Sequence, residues 1–215
     1  MKEVSERTIT VIFDFDGTLA DTIALVMRIY NEHAESFSAE KVEPSELSGL
    51  RKLGYRRALK AKHIKWHHLP KLVAFVRKEM KQHMGEVQPY PGVVSMLHQL
   101  KERGVTIGVL TSNDQALVQD FFVAHGFPLF DFIVSDHSIF GKDKALYRIM
   151  SRHGLGRENV VYVGDEARDI IASKKAGIRS IGVGWGGGGR EMLEKVNPTI
   201  LVDSVDELTA ALAAL

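Results

Sequence analysis

Ile9 to Asp21, ITVIFDFDGTLAD, is the stretch whose reading decides the fold. Ile9 to Phe13 are mostly β-branched or aromatic, the mark of a strand buried on both faces rather than one. Asp14, Phe15, Asp16, Gly17 and Thr18 follow at once. Carried past Phe13, strand alternation would turn Asp14 and Asp16 to the same side. In an open α/β sheet the carboxyl ends of the strands are where ligands bind. Two carboxylates about 4 Å apart repel by ~1 kcal/mol in water, and by several times that when partly buried. Such a pair needs a cation between its members or a shared proton. The plainer use of DFDGT is a strand-to-helix turn, with Asp as a cap and Gly17 as the bend.

Around that stretch lies a chain of 215 residues, enough for one large domain or for a main domain with a smaller attachment. With 45% hydrophobic and 26% charged residues, its composition excludes a disordered or membrane-embedded class. No apolar run approaches the ~20 residues of a spanning helix, and MKEVSERT lacks the apolar centre of a signal peptide. Cysteine is absent, which excludes disulfides and thiolate chemistry. A cytoplasmic location is expected.

The net charge of +1 hides an asymmetry. Between Ser45 and Gly85 there are eleven Lys or Arg against Glu46 and Glu79, a balance of +9, which leaves −8 for the remainder. The shift suggests a separate module between about residues 20 and 88. A solvated helical surface explains the charge as well as attraction of an anionic substrate does. No stacking-aromatic pattern accompanies it, so nucleic acid is not expected as a partner.

Taken in order, the chain alternates. Apolar residues at Ile23, Val26, Met27, Tyr30 and Ala34 predict a helix over Thr22 to Phe37. Glu46 to Lys62 and Pro70 to Met84 read as further helices, with no strand signal between residues 20 and 88. Beyond Pro89-Tyr90-Pro91-Gly92, predicted strands at 105–111, 130–135, 159–164, 178–184 and 199–202 alternate with helices at 93–103, 115–125, 144–153, 167–176, 191–196 and 206–215. Repeated strand–helix units mean a parallel sheet wrapped by helices.

Chemistry has four places to sit, each just after a strand. Asp14 and Asp16 follow the first. Thr111, Ser112 and Asn113 follow the second, offering a hydroxyl and turn amides suited to phosphate oxygens. Lys142 lies in FGKDKAL after the third, and Gly164-Asp165-Glu166-Ala167-Arg168-Asp169 follows the fourth. Each alone has an ordinary use: loop composition, a surface lysine, acids at a helix start. Their conjunction in this order is far more specific.

DFDGT, Thr111, Lys142 and GDEARD resemble, in order, the four motifs of the haloacid dehalogenase superfamily, with coverage from Thr8 onward. DFDGTLADT, YPGV, TSN, VGDEARDI and GVGWG are similar to its phosphoglycolate phosphatase-like branch. The resemblance implies a Rossmann-like core of residues 1–20 and 88–215, with the DxD strand central. It also implies an all-helical C1-type cap at 21–87. The usual proline after the motif-three lysine is replaced by Asp143, so Lys144 competes with Lys142, although Lys142 fits the spacing better.

A dehalogenase of this superfamily needs the first Asp but no acid two residues later. Breaking a phosphate ester does need one, because an alkoxide leaving group must receive a proton. Asp14 is then the nucleophile and Asp16 the general acid and base. The family pattern implies Mg2+ held by Asp14, the backbone carbonyl of Asp16 and Asp165, with Asp169 nearby. It also implies that Thr111 and Lys142 hold phosphate oxygens, joined at the phosphate by Ser112 and Asn113. The implied substrate is a small phosphorylated metabolite, phosphoglycolate first, with sugar phosphates, nucleotides, pyrophosphate and a phosphomutase reaction as alternatives. Oligomeric state stays open.

Other classes compete. Gly182, Gly184 and Gly187 satisfy GxGxxG after a strand, a nucleotide-binding pattern, though only one strand–helix pair follows. A non-catalytic relative that binds a partner, or a phosphorylated receiver-like switch, would keep part of the same constellation. His63 and His67 are one helical turn apart, but no third metal ligand accompanies them. Trp66 and Trp185 are candidates for a substrate pocket or for packing.

Overall fold

The computed structural model describes residues 9–53, 55–137 and 141–215. Its strands are β1 (Thr10–Phe13), β2 (Thr106–Thr111), β3 (Phe132–Ser135), β4 (Val160–Gly164), β5 (Arg179–Val183) and β6 (Ile200–Val202). They form one sheet of order β3-β2-β1-β4-β5-β6, with every neighbouring pair parallel. All four residues of β1 are buried. This is the central, doubly covered strand that an unbroken apolar run specifies.

Between β1 and β2 the chain makes α1 (Ile23–His33), α2 (Leu47–Leu53), α3 (Tyr55–Ala61) and α4 (Leu69–His83), with short 3-10 turns after α1, before α2 and before α4. No strand occurs among the described residues from 21 to 87. Tyr30, Ala34, Phe37, Ala39, Val42 and Leu72 make a small apolar centre inside this insertion. Leu25, Ile29, Met80, Met84 and Val87 join the main core instead. After it come α5 (Val93–Glu102), α6 (Gln115–Ala124), α7 (Lys142–His153), α8 (Ala167–Ala176), α9 (Arg190–Val196) and α10 (Val205–Ala213).

Period-two alternation sorts the sheet onto two faces. Val11, Phe13, Val109, Val161 and Val163 pack against α5, α6 and α10. Ile12, Leu110 and Tyr162 pack against α7 and α8. The result is a Rossmann-like α/β architecture. Register brings Phe13 beside Val109 and Val163, so the ends of β1, β2 and β4 lie level. No helix among the described residues is long and apolar enough to cross a membrane.

Of the helix expected over Glu46 to Lys62, α2 and α3 are the described helical parts, and Gly54 lies outside the described residues. Helix α7 starts at Lys142, two residues before the expected Lys144.

Candidate active site

Strand β1 ends at Phe13, and the Asp14 amide continues the ladder for one residue by donating to the Val163 carbonyl at 2.8 Å. The chain then turns: the Leu19 and Ala20 amides donate back to the Phe15 carbonyl, and the Gly17 amide to the Ala20 carbonyl. A turn, not continued alternation, therefore sets Asp16. Gly17 has φ of +71°, and a β-carbon there would lie 2.5 Å from Asp165 Oδ2. Only glycine meets both demands.

The Asp14 carboxylate is buried and held at both oxygens. The Phe15 amide donates to Oδ1 at 2.9 Å, and Lys142 Nζ to Oδ2 at 2.5 Å. Lys142 also pairs with Asp169 Oδ1. It is 8% exposed, whereas Lys144 faces solvent, and this separates the two lysines that spacing left in competition. Asp14, Asp165 and Asp169 bring one carboxylate oxygen each within 4.8 Å of one another, all three residues buried. Asp165 is gripped by Thr18 Oγ1 at 3.2 Å and by the Gly187 amide at 2.7 Å.

The electrostatics follow from burial. Burial pushes the Asp14 carboxyl up to about 7, against the pull of Lys142. Asp165 is raised well above the usual range by burial and by Glu166, Asp169 and Asp14. Burial alone would lower Lys142, but Asp14 and Asp169 outweigh it and keep the ammonium charged. Three carboxyl groups share one ammonium, and a divalent cation among them would match the two negative charges left when all three are ionised. Buried hard oxygen donors with no nitrogen or sulfur among them fit an ion of the Mg2+ kind.

Asp16 stands apart from that cluster. Asn113 Nδ2 donates to its Oδ2 at 2.8 Å, while its buried Oδ1 has no hydrogen-bond partner among the described residues. Burial raises its carboxyl, with Asn113 and Thr22 opposing. Thr111 is buried, and its Oγ1 accepts from the Asn113 amide at 3.0 Å, leaving its own proton to donate. Ser112 is half-buried, and its carbonyl meets His137 Nδ1 at 2.9 Å. The part of Asn113 as a partner of Asp16 had no sequence signal beyond its place in the loop.

The glycine run 186–189 also has a local use. A β-carbon at Gly186 would overlap Asp165 and the Gly17 carbonyl, so the backbone passes against the site without side chains. That is a packing demand, not a nucleotide cradle. Trp185 donates from Nε1 to the Thr18 carbonyl at 3.3 Å, and it lines a cleft of about 440 Å3 with Ile23, Met27, Pro44 and Tyr90. The Trp66 side chain lies outside the described residues. His63 meets Glu40 at 3.4 Å, and no metal-type cluster includes it or His67 among the described residues. Of the basic insertion, Lys62 pairs with Glu46, Lys52 with Glu191 and Lys81 with Asp114, while Arg77 contacts the His137 carbonyl. Those four cations hold the insertion to itself, to helix α9 or to the loops after β2 and β3.

The fold and the site together define a hydrolase-type acidic centre at the carboxyl edge of a Rossmann-like sheet. Residues 11–183 match the family model described as haloacid dehalogenase-like hydrolase. A phosphoglycolate phosphatase of Synechococcus elongatus is 30% identical over 206 residues, covering 95% of this chain and 97% of that protein. Pyrophosphatase PpaX of Halalkalibacterium halodurans is 25% identical, covering 93% and 94%. The crystal structure of a predicted phosphatase from Clostridium acetobutylicum superposes with a TM-score of 0.79 at 24% identity, covering 97% of this chain and 99% of that one. The chain belongs to the haloacid dehalogenase-like hydrolase family.

Proposed function

We propose that this chain is a Mg2+-dependent phosphatase that hydrolyses a small phosphorylated metabolite through an aspartyl-phosphate on Asp14. One observation carries the reading: a buried carboxylate fixed at both oxygens, two residues before a carboxyl with one oxygen unpaired. Asp14, Asp165 and the backbone carbonyl of Asp16 would hold the ion, with Asp169 beside them. When bound, it supplies charge neutralisation that lets an anionic phosphate approach these carboxylates.

Lys142 and the Phe15 amide orient Asp14 for attack on phosphorus. An Asp14 oxygen bonds to phosphorus as the ester P–O bond breaks, and the departing oxygen takes the proton of Asp16. Asn113 aims that carboxyl by holding Oδ2. Water then gives a proton back to Asp16 and attacks phosphorus, the Asp14–phosphorus bond breaks, and inorganic phosphate leaves. Thr111 and Lys142 steady the phosphate oxygens, with Ser112 and the Asn113 loop beside them. We assign residues 21–87 as a helical cap over a core formed by 1–20 and 88–215, and phosphoglycolate as the first substrate to try, after the names of several relatives.

Phosphate release from a panel of phosphomonoesters, with and without Mg2+, tests the reading. Metal-dependent turnover of at least one compound is expected. Substantial turnover by purified Asp14→Asn protein would refute the assignment.

A further inference from the structure

The cleft of about 440 Å3 lies where the helical insertion meets the rest of the chain. Met27, Val42 and Leu47 line it from the insertion, Tyr90 and Trp185 from the other side, and Ile23 from the start of α1. Three observations join it to the acidic centre. A β-carbon at Gly187 would lie 3.6 Å from Asp165 Oδ2 and 4.0 Å from Ile23 Cδ1, so a single stretch of backbone separates the two. Trp185 is tied to the carbonyl of Thr18, whose hydroxyl holds Asp165. Asp21 and Ile23, both on the wall, flank Thr22, which acts on the Asp16 carboxyl.

The polar groups of that wall are already engaged. Asn31 exchanges two hydrogen bonds with the Val42 backbone, at 2.8 and 2.7 Å. The Tyr90 hydroxyl donates to Asp21 Oδ1 at 3.3 Å, and Arg28 pairs with Glu86 at 2.6 Å. The remaining charges on the wall are two acids, Asp21 and Glu43. A leaving group with its own carboxylate would meet those acids and a cation that another acid already holds. An uncharged hydrocarbon would instead take apolar surface out of water against Met27, Leu47 and Trp185. Glycolate would fill only a small part of such a volume. We propose that this cleft receives the leaving group, and that the substrate is a phosphomonoester of an uncharged, apolar alcohol or phenol. This rests on the phosphatase reading and names the substrate class for it.

The test measures kcat/KM with Mg2+ for ethyl, butyl and hexyl phosphate and for phosphoglycolate. The alkyl alcohols leave with nearly equal intrinsic ease, so a trend along the series reads contact with the cleft. Burial of the added methylenes predicts a rise of roughly tenfold or more from ethyl to hexyl phosphate, with phosphoglycolate below hexyl phosphate. Ala24 lines the cleft from an exposed position on α1, so the indole of Ala24→Trp can fill the cleft without entering the core. The hexyl-to-ethyl ratio of that variant should fall to about twofold or less. Met27→Lys, which adds charge to the same wall, should lower the ratio in the same direction. A wild-type series flat within about twofold would overturn the proposal. So would phosphoglycolate turned over better than hexyl phosphate, or a chain-length trend that survives in both variants. A wild type that releases phosphate from no phosphomonoester would sink the phosphatase reading and this inference with it. Metal-dependent turnover with a flat series would sink the inference alone.

Discussion

Lys142 and Lys62 are both buried, at 8% and 7% exposure, yet they belong to opposite kinds of site. Lys62, in the insertion, donates to the Lys41 carbonyl and to Glu46, whose side chain is 43% exposed. Its charge is answered by one carboxylate that water also reaches, and the pair closes a loop. Lys142 lies between two carboxylates that water scarcely reaches, beside a third. Burial of a lysine therefore says little by itself. What separates chemistry from architecture is the surplus of like charge around it, which a fold does not retain for stability alone.

That contrast can be broken experimentally, and the largest effect is expected at the nucleophile. Asp14→Asn should lower kcat/KM by roughly 10^4-fold or more while the far-ultraviolet circular dichroism stays native. Asp16→Asn should cost roughly 10^2- to 10^4-fold, the range of a lost general acid and base. Lys142→Met should cost roughly 10^2- to 10^3-fold, as loss of a group that orients the nucleophile and meets phosphate charge. Lys62→Met is the counterpart: a melting temperature lower by roughly 2–4 °C, with kcat of the folded protein within about twofold of wild type. If both lysine variants lost activity alike, the contrast between the two sites would be false.

The smallest effect sharpens the Lys62 side. Hydrogen bonding from Lys62 holds the Glu46 carboxyl below its ordinary value, helped by the Glu43 amide. A depressed acid contributes stability above its unfolded pKa and loses it as pH falls through the folded one. The melting-temperature gap between wild type and Glu46→Gln should thus be present at pH 7 and close below about pH 4, near the unfolded glutamate value. A gap that persisted in acid would point to packing instead.

Much of this could be read in the chain because local chemistry and global placement agree. The buried strand before DFDGT, the helix run after Asp21 and the strand–helix alternation beyond Pro89 each carry their own pattern. Lys142 was less distinct, since spacing admits Lys144 and only three dimensions bury one and expose the other. Asn113 was not readable in its observed part. Asn113 meets Asp16 across 97 residues of chain.

The central claim is a covalent phosphoryl group on one side chain, and mass spectrometry of acid-quenched protein tests it most directly. With a turned-over phosphomonoester and Mg2+, wild type should carry a phosphoryl group on the peptide holding Asp14, and Asp14→Asn should carry none. Steady turnover with no phosphoryl adduct, or an adduct on a peptide that survives the Asp14→Asn change, would contradict the account.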